Sequence, residues 1–396
     1  MSINKIMNKL LIIFIVFTVS AASFEGFFVK WSFREADPVP QWYAFEYMYE
    51  GTAIRPFVYR QLLISISKNI SNNLSSDTKN SVVNKLKNDN FLANKFKIVD
   101  IKENLLLEYY LVYIISFLCL FVSVFIWRQI CIDLTKSSIA GTLAPMIFTI
   151  IFPYLETNGG YFYDFSELLF FSMAIFFACR GHYIAIIVMT PIAAYNKESF
   201  LFFLMTLYPL LHQTQPIKKS VIVLGIAILI SGLIHLNSVL KFENNGGDIV
   251  FYNVGTNALA IGLVFYFTYI IYFCRKLYIR KSLMFYILAP ILLAYPFLIQ
   301  YNAISYFYYN FGHTYSIISG EDLFFLHVIF VIWIIKSAWK HLEEPLKQHA
   351  KLALMINTPL IVLFGLVYEL RNWSLLYPTF IILIAFYIKN LLDEAT

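Results

Sequence analysis

Charge is scarce in this sequence. Asp, Glu, Lys and Arg make up 14% of its 396 residues, against about 25% in soluble domains, and that excludes an ordinary soluble globule. Glycine is sparse too, 15 in all, and none of it forms a phosphate-cradling loop or a nucleotide-binding fingerprint. An ATP-driven pump or a cytosolic nucleotide-sugar enzyme needs such a site, and the basic loops are too short to build one. The four cysteines, Cys119, Cys131, Cys179 and Cys274, contain no pair at metal-ligand spacing, and read as plain reduced thiols. Short alternating segments, the mark of an outer-membrane barrel, are missing. So is any internal repeat.

What abounds is apolar length. The chain is 59% hydrophobic, with 39 Phe and 28 Tyr. Apolar runs lie near 8–29, 105–127, 138–153, 165–179, 183–195, 199–211, 219–237, 257–274, 283–300, 322–336, 352–368 and 374–390. A bilayer-crossing helix needs about 20 predominantly apolar residues. The pattern predicts an all-α polytopic membrane protein of about 12 segments, a single transmembrane domain over 1–396. The opening "MSINKIMNKLLIIFIVFTVSAAS" imitates a signal peptide, with Lys5 and Lys9 before an apolar core. It reads instead as an uncleaved first span serving as its own insertion signal.

The net charge of +6 does not point to nucleic acid. The basic residues sit between apolar runs, as topology signals do. With the N-terminus inside, sixteen Lys and Arg residues fall in the inner set, Arg128, Arg180, Lys218, Lys219, Arg275 and Lys340 among them. Only Lys197, Lys241 and Arg371 fall outside. Both termini are therefore expected in the cytoplasm. The long first outer loop, 30–104, is exempt from the rule. Its 64–102 portion carries Ile66, Ile70, Leu74, Val82 and Leu86 at helical spacings, with Lys68, Lys79, Lys85 and Lys87 between them. That pattern predicts amphipathic helices on the outer leaflet. Residues 183–211 read as two short helices meeting at "NKES", Asn196 to Ser199, because that keeps both basic flanks inside.

An ionisable group within the bilayer costs about 2.5–3.5 kcal/mol on insertion scales, so charges at outer helix ends are the candidates for chemistry. Glu35 and Asp37 in "FREADP" offer a proton acceptor or a divalent-cation ligand, or else a solvated turn. Arg55 and Arg60 flank Pro56, Phe57 and Tyr59 in "RPFVYR"; guanidinium grips phosphate through two parallel hydrogen bonds, and the plainer alternative is interfacial anchoring. Asp164 and Glu167 open a span in "YFYDFSELL"; three apart, they share a helix face, although Asp164 or Ser166 could simply cap the helix. Tyr161 and Tyr163 read as interface aromatics or sugar-stacking rings. Lys197 and Glu198 could neutralise each other across the helix break. Glu369 and Arg371 lie at the last outer turn, "YELRNWSLLYP". His313 is a weaker candidate base, and His235 is expected to satisfy a local hydrogen bond.

Taken together, "RPFVYR", "YFYDF", "NKES" and "ELRNW…P" resemble a broad group of bacterial multi-pass proteins that is similar to the GT-C class of membrane glycosyltransferases. "NKES" departs from the "NRET"-like form of that group but keeps its charge and hydroxyl. The resemblance implies a GT-C-like fold in the bacterial inner membrane, with a cavity open to the periplasm and a polyprenyl-phosphate-linked sugar as donor. It implies a carboxylate of the first outer loop as base or metal ligand, Asp37 in preference to Glu35, with a divalent cation as an optional cofactor. Arg55, Arg60 and Arg371 would then meet the phosphate. Tyr59, Tyr163, Asp164, Glu167, Asn196, Lys197, Glu198 and Glu369 would line the substrate site. An O-antigen-type polymerase and a secondary transporter are the rival expectations.

Overall fold

Three phenylalanines on one side of the first helix organise the core. In the computed structural model, which describes residues 3–31, 44–88, 101–156, 160–245, 321–364 and 370–395, helix α1 (Ile3–Trp31) buries Phe24, Phe27 and Phe28. Their rings meet Tyr113, Phe117 and Phe165 edge-on, at centroid distances of 4.5–5.7 Å. That is the separation at which ring quadrupoles attract. The partners lie on α5 (Leu106–Thr135) and α7 (Phe162–Cys179). The opposite side of α1 exposes Leu10, Leu11, Phe14 and Val29, an apolar surface suited to lipid and not to water.

Before α5 come α2 (Phe45–Glu50), α3 (Leu62–Asn73) and α4 (Ser76–Asn88). The described residues between α1 and α5 are thus largely helical, and α3 and α4 fall where the apolar spacing of 64–88 predicts helices. These helices are fastened to one another and to the start of α5. Glu108 of α5 is buried and accepts from Ser71 at 2.6 Å and Lys79 at 3.0 Å. Lys68 lies 4.2 Å over the Tyr49 ring, and Lys87 pairs with Glu103 at 2.6 Å. Helix α2 ends at Gly51, whose φ of 76° is the left-handed conformation glycine adopts without steric cost. The Gly51 and Ala53 carbonyls accept from Asn245 at 2.8 and 2.9 Å, so the end of a distant helix is pinned to the same loop.

Helix α6 (Ser138–Leu155) packs against α1, α5 and α14 (Tyr377–Ala395). Pro153 has no N–H, so the Thr149 carbonyl loses its helical donor; the Ser23 hydroxyl of α1 donates to it instead. Gly141 marks a close approach to α5. A Cβ there would sit 2.4 Å from the Ile132 side chain and 2.8 Å from its backbone nitrogen. Gly141→Ala should therefore lower stability by about 1–3 kcal/mol through overpacking, read as a lower unfolding midpoint in detergent.

Residues 183–214 form α8 (Tyr183–Asn196), α9 (Ser199–Thr206) and α10 (Tyr208–Thr214). The expected break at Lys197-Glu198 is present. A second bend follows at Leu207, where Pro209 opens the next helix. Ile184, Val188 and Ile192, four apart on α8, are exposed, while Ile186, Met189 and Ala193 are buried. Phe203 of α9 stacks on Phe171 of α7 at 3.9 Å. Helix α11 (Ile217–Lys241) lies against α8, α9 and α10, and α13 (Glu344–Phe364) against α9 and α10. Helix α12 (Glu321–Trp339) rests on α14. Among the described residues, six helices are long and apolar enough to cross a bilayer and no strand occurs. The chain is an all-α polytopic membrane protein. The apolar runs expected at 257–274 and 283–300 lie outside the described residues.

Candidate functional site

Helix α8 is 14 residues long, about 21 Å at 1.5 Å per residue, against a hydrocarbon core of about 30 Å. A helix rising from the basic side therefore ends short of the far surface. Lys197 follows it with φ −160° and ψ 137°. In extended backbone successive side chains point to opposite sides, so Lys197 and Glu198 diverge. They do not neutralise each other, contrary to the sequence expectation; each serves a different element.

Lys197 points to α7. Its ammonium lies 2.8 Å from Asp164 and 2.6 Å from Glu167. The shared helix face read from their spacing is used by one lysine. The capping alternative does not hold: α7 starts after Tyr161, and no side chain caps it. Asn196 locks the junction, donating to the Tyr163 carbonyl at 3.0 Å and accepting from Ser166 at 2.5 Å. Glu167 also accepts from Ser199 and, at 3.3 Å, from Ser374.

Glu198 points to the segment between α1 and α5. Arg60 donates to it through Nε at 3.1 Å and through Nη2, and gives Nη1 to the Tyr163 hydroxyl. The fork expected for a substrate phosphate is thus closed on a protein carboxylate, and Arg60 is buried. Arg371, in a 3-10 turn over Leu370–Leu376, donates to the same Tyr163 oxygen at 3.3 Å and lies 3.5 Å from Asp164. Its guanidinium sits 4.3 Å over Tyr161, which stacks on Tyr163 at 5.0 Å. These two tyrosines are buried network members, not interface aromatics.

Four stretches separated by up to three hundred residues thus meet in one cluster. Tyr59 and Arg55 stand at its edge: the Tyr59 hydroxyl lies in the field of both Arg55 and Glu198, and burial pushes it up to about 12. Arg55 is half-buried. His235 meets the Tyr59 ring edge-on at 5.6 Å. Glu35, Asp37, Glu369 and His313 lie outside the described residues. Sequence reasoning missed Glu156, which follows α6 and is buried against Asp164. Its position at a helix end makes it look like an ordinary turn residue. Ser374 and Tyr377 were missed for want of charge; in sequence the Ser199 hydroxyl stands out only as part of "NKES".

A divalent cation does not fit the described carboxylates. Lys197 and Arg371 already occupy Asp164 and Glu167, and among the described residues no group of three His, Cys, Asp or Glu could hold a metal. No protein-family model, curated protein or solved structure matches this chain.

Proposed function

We propose that the protein is a GT-C-like membrane glycosyltransferase of about 12 segments, moving a sugar from a polyprenyl-phosphate-linked donor to a cell-surface glycan or lipid on the outward face. The observation carrying this reading is the convergence of Arg60, Arg371, Lys197 and the Tyr161–Tyr163 stack, which joins the outer loop to three hairpin ends. In this reading the network, whose three cations are matched by Asp164, Glu167 and Glu198, is a rigid floor. Arg55, at the rim beside Tyr59, makes the direct contact that stabilises a leaving phosphate. Asp37 or Glu35 takes the acceptor's proton. An O-antigen-type polymerase needs the same donor chemistry, and differs in adding whole repeat units.

The test is transfer from a labelled polyprenyl-phosphate sugar in proteoliposomes. Asp37→Ala with Glu35→Ala should lower the rate by about 10²–10⁴, and full activity in the single and double variants rejects the assigned base. A transporter is the second reading, favoured by the short helices α8 and α9 meeting at a charged tetrapeptide, as in broken-helix carriers. Solute uptake without sugar transfer would select it.

A further inference from the structure

The end of α7 remote from the ion cluster gathers a second set of charges. Asp164 and Glu167 open that helix and Arg180 follows it, so about 27 Å of helix lies between the two sets. Gln215 donates to the Gly181 carbonyl at 3.3 Å, and Thr214 to that of Ala178 at 3.4 Å. These bonds bring the end of α10 and the start of α11 beside the start of α8. Two acids of this end are already engaged: Asp133 by Arg180 at 2.6 Å, and Glu343 by Gln213 at 3.3 Å. Lys218 and Lys219, on the first turn of α11, form no ion pair among the described residues. Lys218 is exposed and Lys219 half-buried. The Lys219 ammonium lies 3.7 Å from the centre of the Tyr183 ring. The negative face of that ring attracts the ammonium and keeps it at the junction of α8 and α11.

Just past these cations both helices turn apolar residues outward. Helix α8 exposes a row that begins at Ile184, and α11 exposes Ile222, Ile226, Leu229 and Leu233, which are spaced as one stripe of a helix. From Ile222 to Leu233 the stripe is about 16 Å long at 1.5 Å per residue. One leaflet of a hydrocarbon core is about 15 Å thick. Two cations without acids, an aromatic ring at their level and an apolar stripe one leaflet long follow the order of the parts of a phospholipid. A zwitterionic headgroup brings an ammonium of its own towards the lysines. An anionic one brings the net charge that they lack.

We propose that the junction of α8 and α11 is a binding site for an anionic phospholipid of the surrounding bilayer. Its phosphate meets Lys218 and Lys219, and its acyl chains lie along the exposed rows below them. The site sits at the other end of α7 from the ion cluster. Its failure would therefore leave the glycosyltransferase reading standing, and the reverse.

Native mass spectrometry of the whole protein, released from detergent with phosphatidylglycerol or phosphatidylcholine added, tests it. The wild type should retain phosphatidylglycerol in preference to phosphatidylcholine. Lys218→Gln with Lys219→Gln should lower that preference about thirtyfold, at about fivefold per lysine. The exposed Lys218→Gln alone should lower it about fivefold, and serves if the double variant does not fold. Lys340→Gln with Lys347→Gln removes as much charge elsewhere and should leave the preference unchanged. Equal retention of the two lipids by the wild type, or an equal fall in both double variants, overturns the proposal. So does a doubled mass with no lipid bound, because a second copy of the chain would then cover this face.

Discussion

Lys197→Met should leave almost no folded protein in detergent. The substitution keeps the length of the side chain and deletes the charge that lies 2.8 Å from Asp164 and 2.6 Å from Glu167. Breaking a buried pair by removing one partner costs about 3–5 kcal/mol, and here Glu167 loses its cation while Asp164 is left with Arg371 at 3.5 Å. Such a cost shifts the folding equilibrium more than about a hundredfold. Pairing Lys197→Met with Glu167→Gln should recover much of the loss, since Asp164 keeps Arg371 at 3.5 Å and the count of opposite charges balances again. Unfolding midpoints of the single and double variants, compared with the wild type, check both statements. A Lys197→Met protein as stable as the wild type would mean that the lysine faces solvent instead of α7.

Arg60→Ala should be the next most damaging change. Arg60 is buried, and its removal leaves Glu198 without its donor and the Tyr163 hydroxyl with Arg371 alone, at 3.3 Å. The expected loss is again about 3–5 kcal/mol. Glu198→Ala should cost less, because that side chain is 18% exposed and water reaches the arginine it abandons. Arg60→Lys should restore little: an ammonium cannot make the fork to Glu198 and reach Tyr163 as well. A double-mutant cycle on Arg60 and Glu198 should give a coupling of about 0.5–3 kcal/mol, and additivity would contradict the pairing.

The elements were legible where hydrophobic length decides. The spans at 8–29, 105–127, 138–153 and 219–237 appear as helices α1, α5, α6 and α11. The break inside 183–211 was legible because charges in a bilayer need a reason. Boundaries slipped where polar residues belong to a helix. Helix α7 begins at Phe162, not 165, because its first turn carries Asp164, and α13 begins at Glu344, well before its apolar half.

Pairing was not legible. Lys197 and Glu198 are neighbours in sequence, and only the extended backbone at Lys197 sends them to different helices. Arg60 read as a ligand for an outside phosphate because its internal acceptor lies 138 residues away. Glu156 was passed over because a lone acid after a span has the look of a turn. In each case the identity of the residue was in the sequence, and its partner was set by tertiary packing.

The segment between α1 and α5 docks onto the broken helix pair α8–α9, so that distant islands form one cluster. Ser65 of α3 and Tyr195 of α8 touch at 3.0 Å beside the ion network, and neither carries a charge. With the native cysteines replaced, Ser65→Cys and Tyr195→Cys in intact membranes should be joined by a short bifunctional maleimide, and Ser65→Cys with the lipid-facing Ile192→Cys should not. Cross-linking of the first pair only is the predicted result. No cross-link between 65 and 195, with both cysteines reactive, would mean that the loop lies elsewhere and the cluster does not exist.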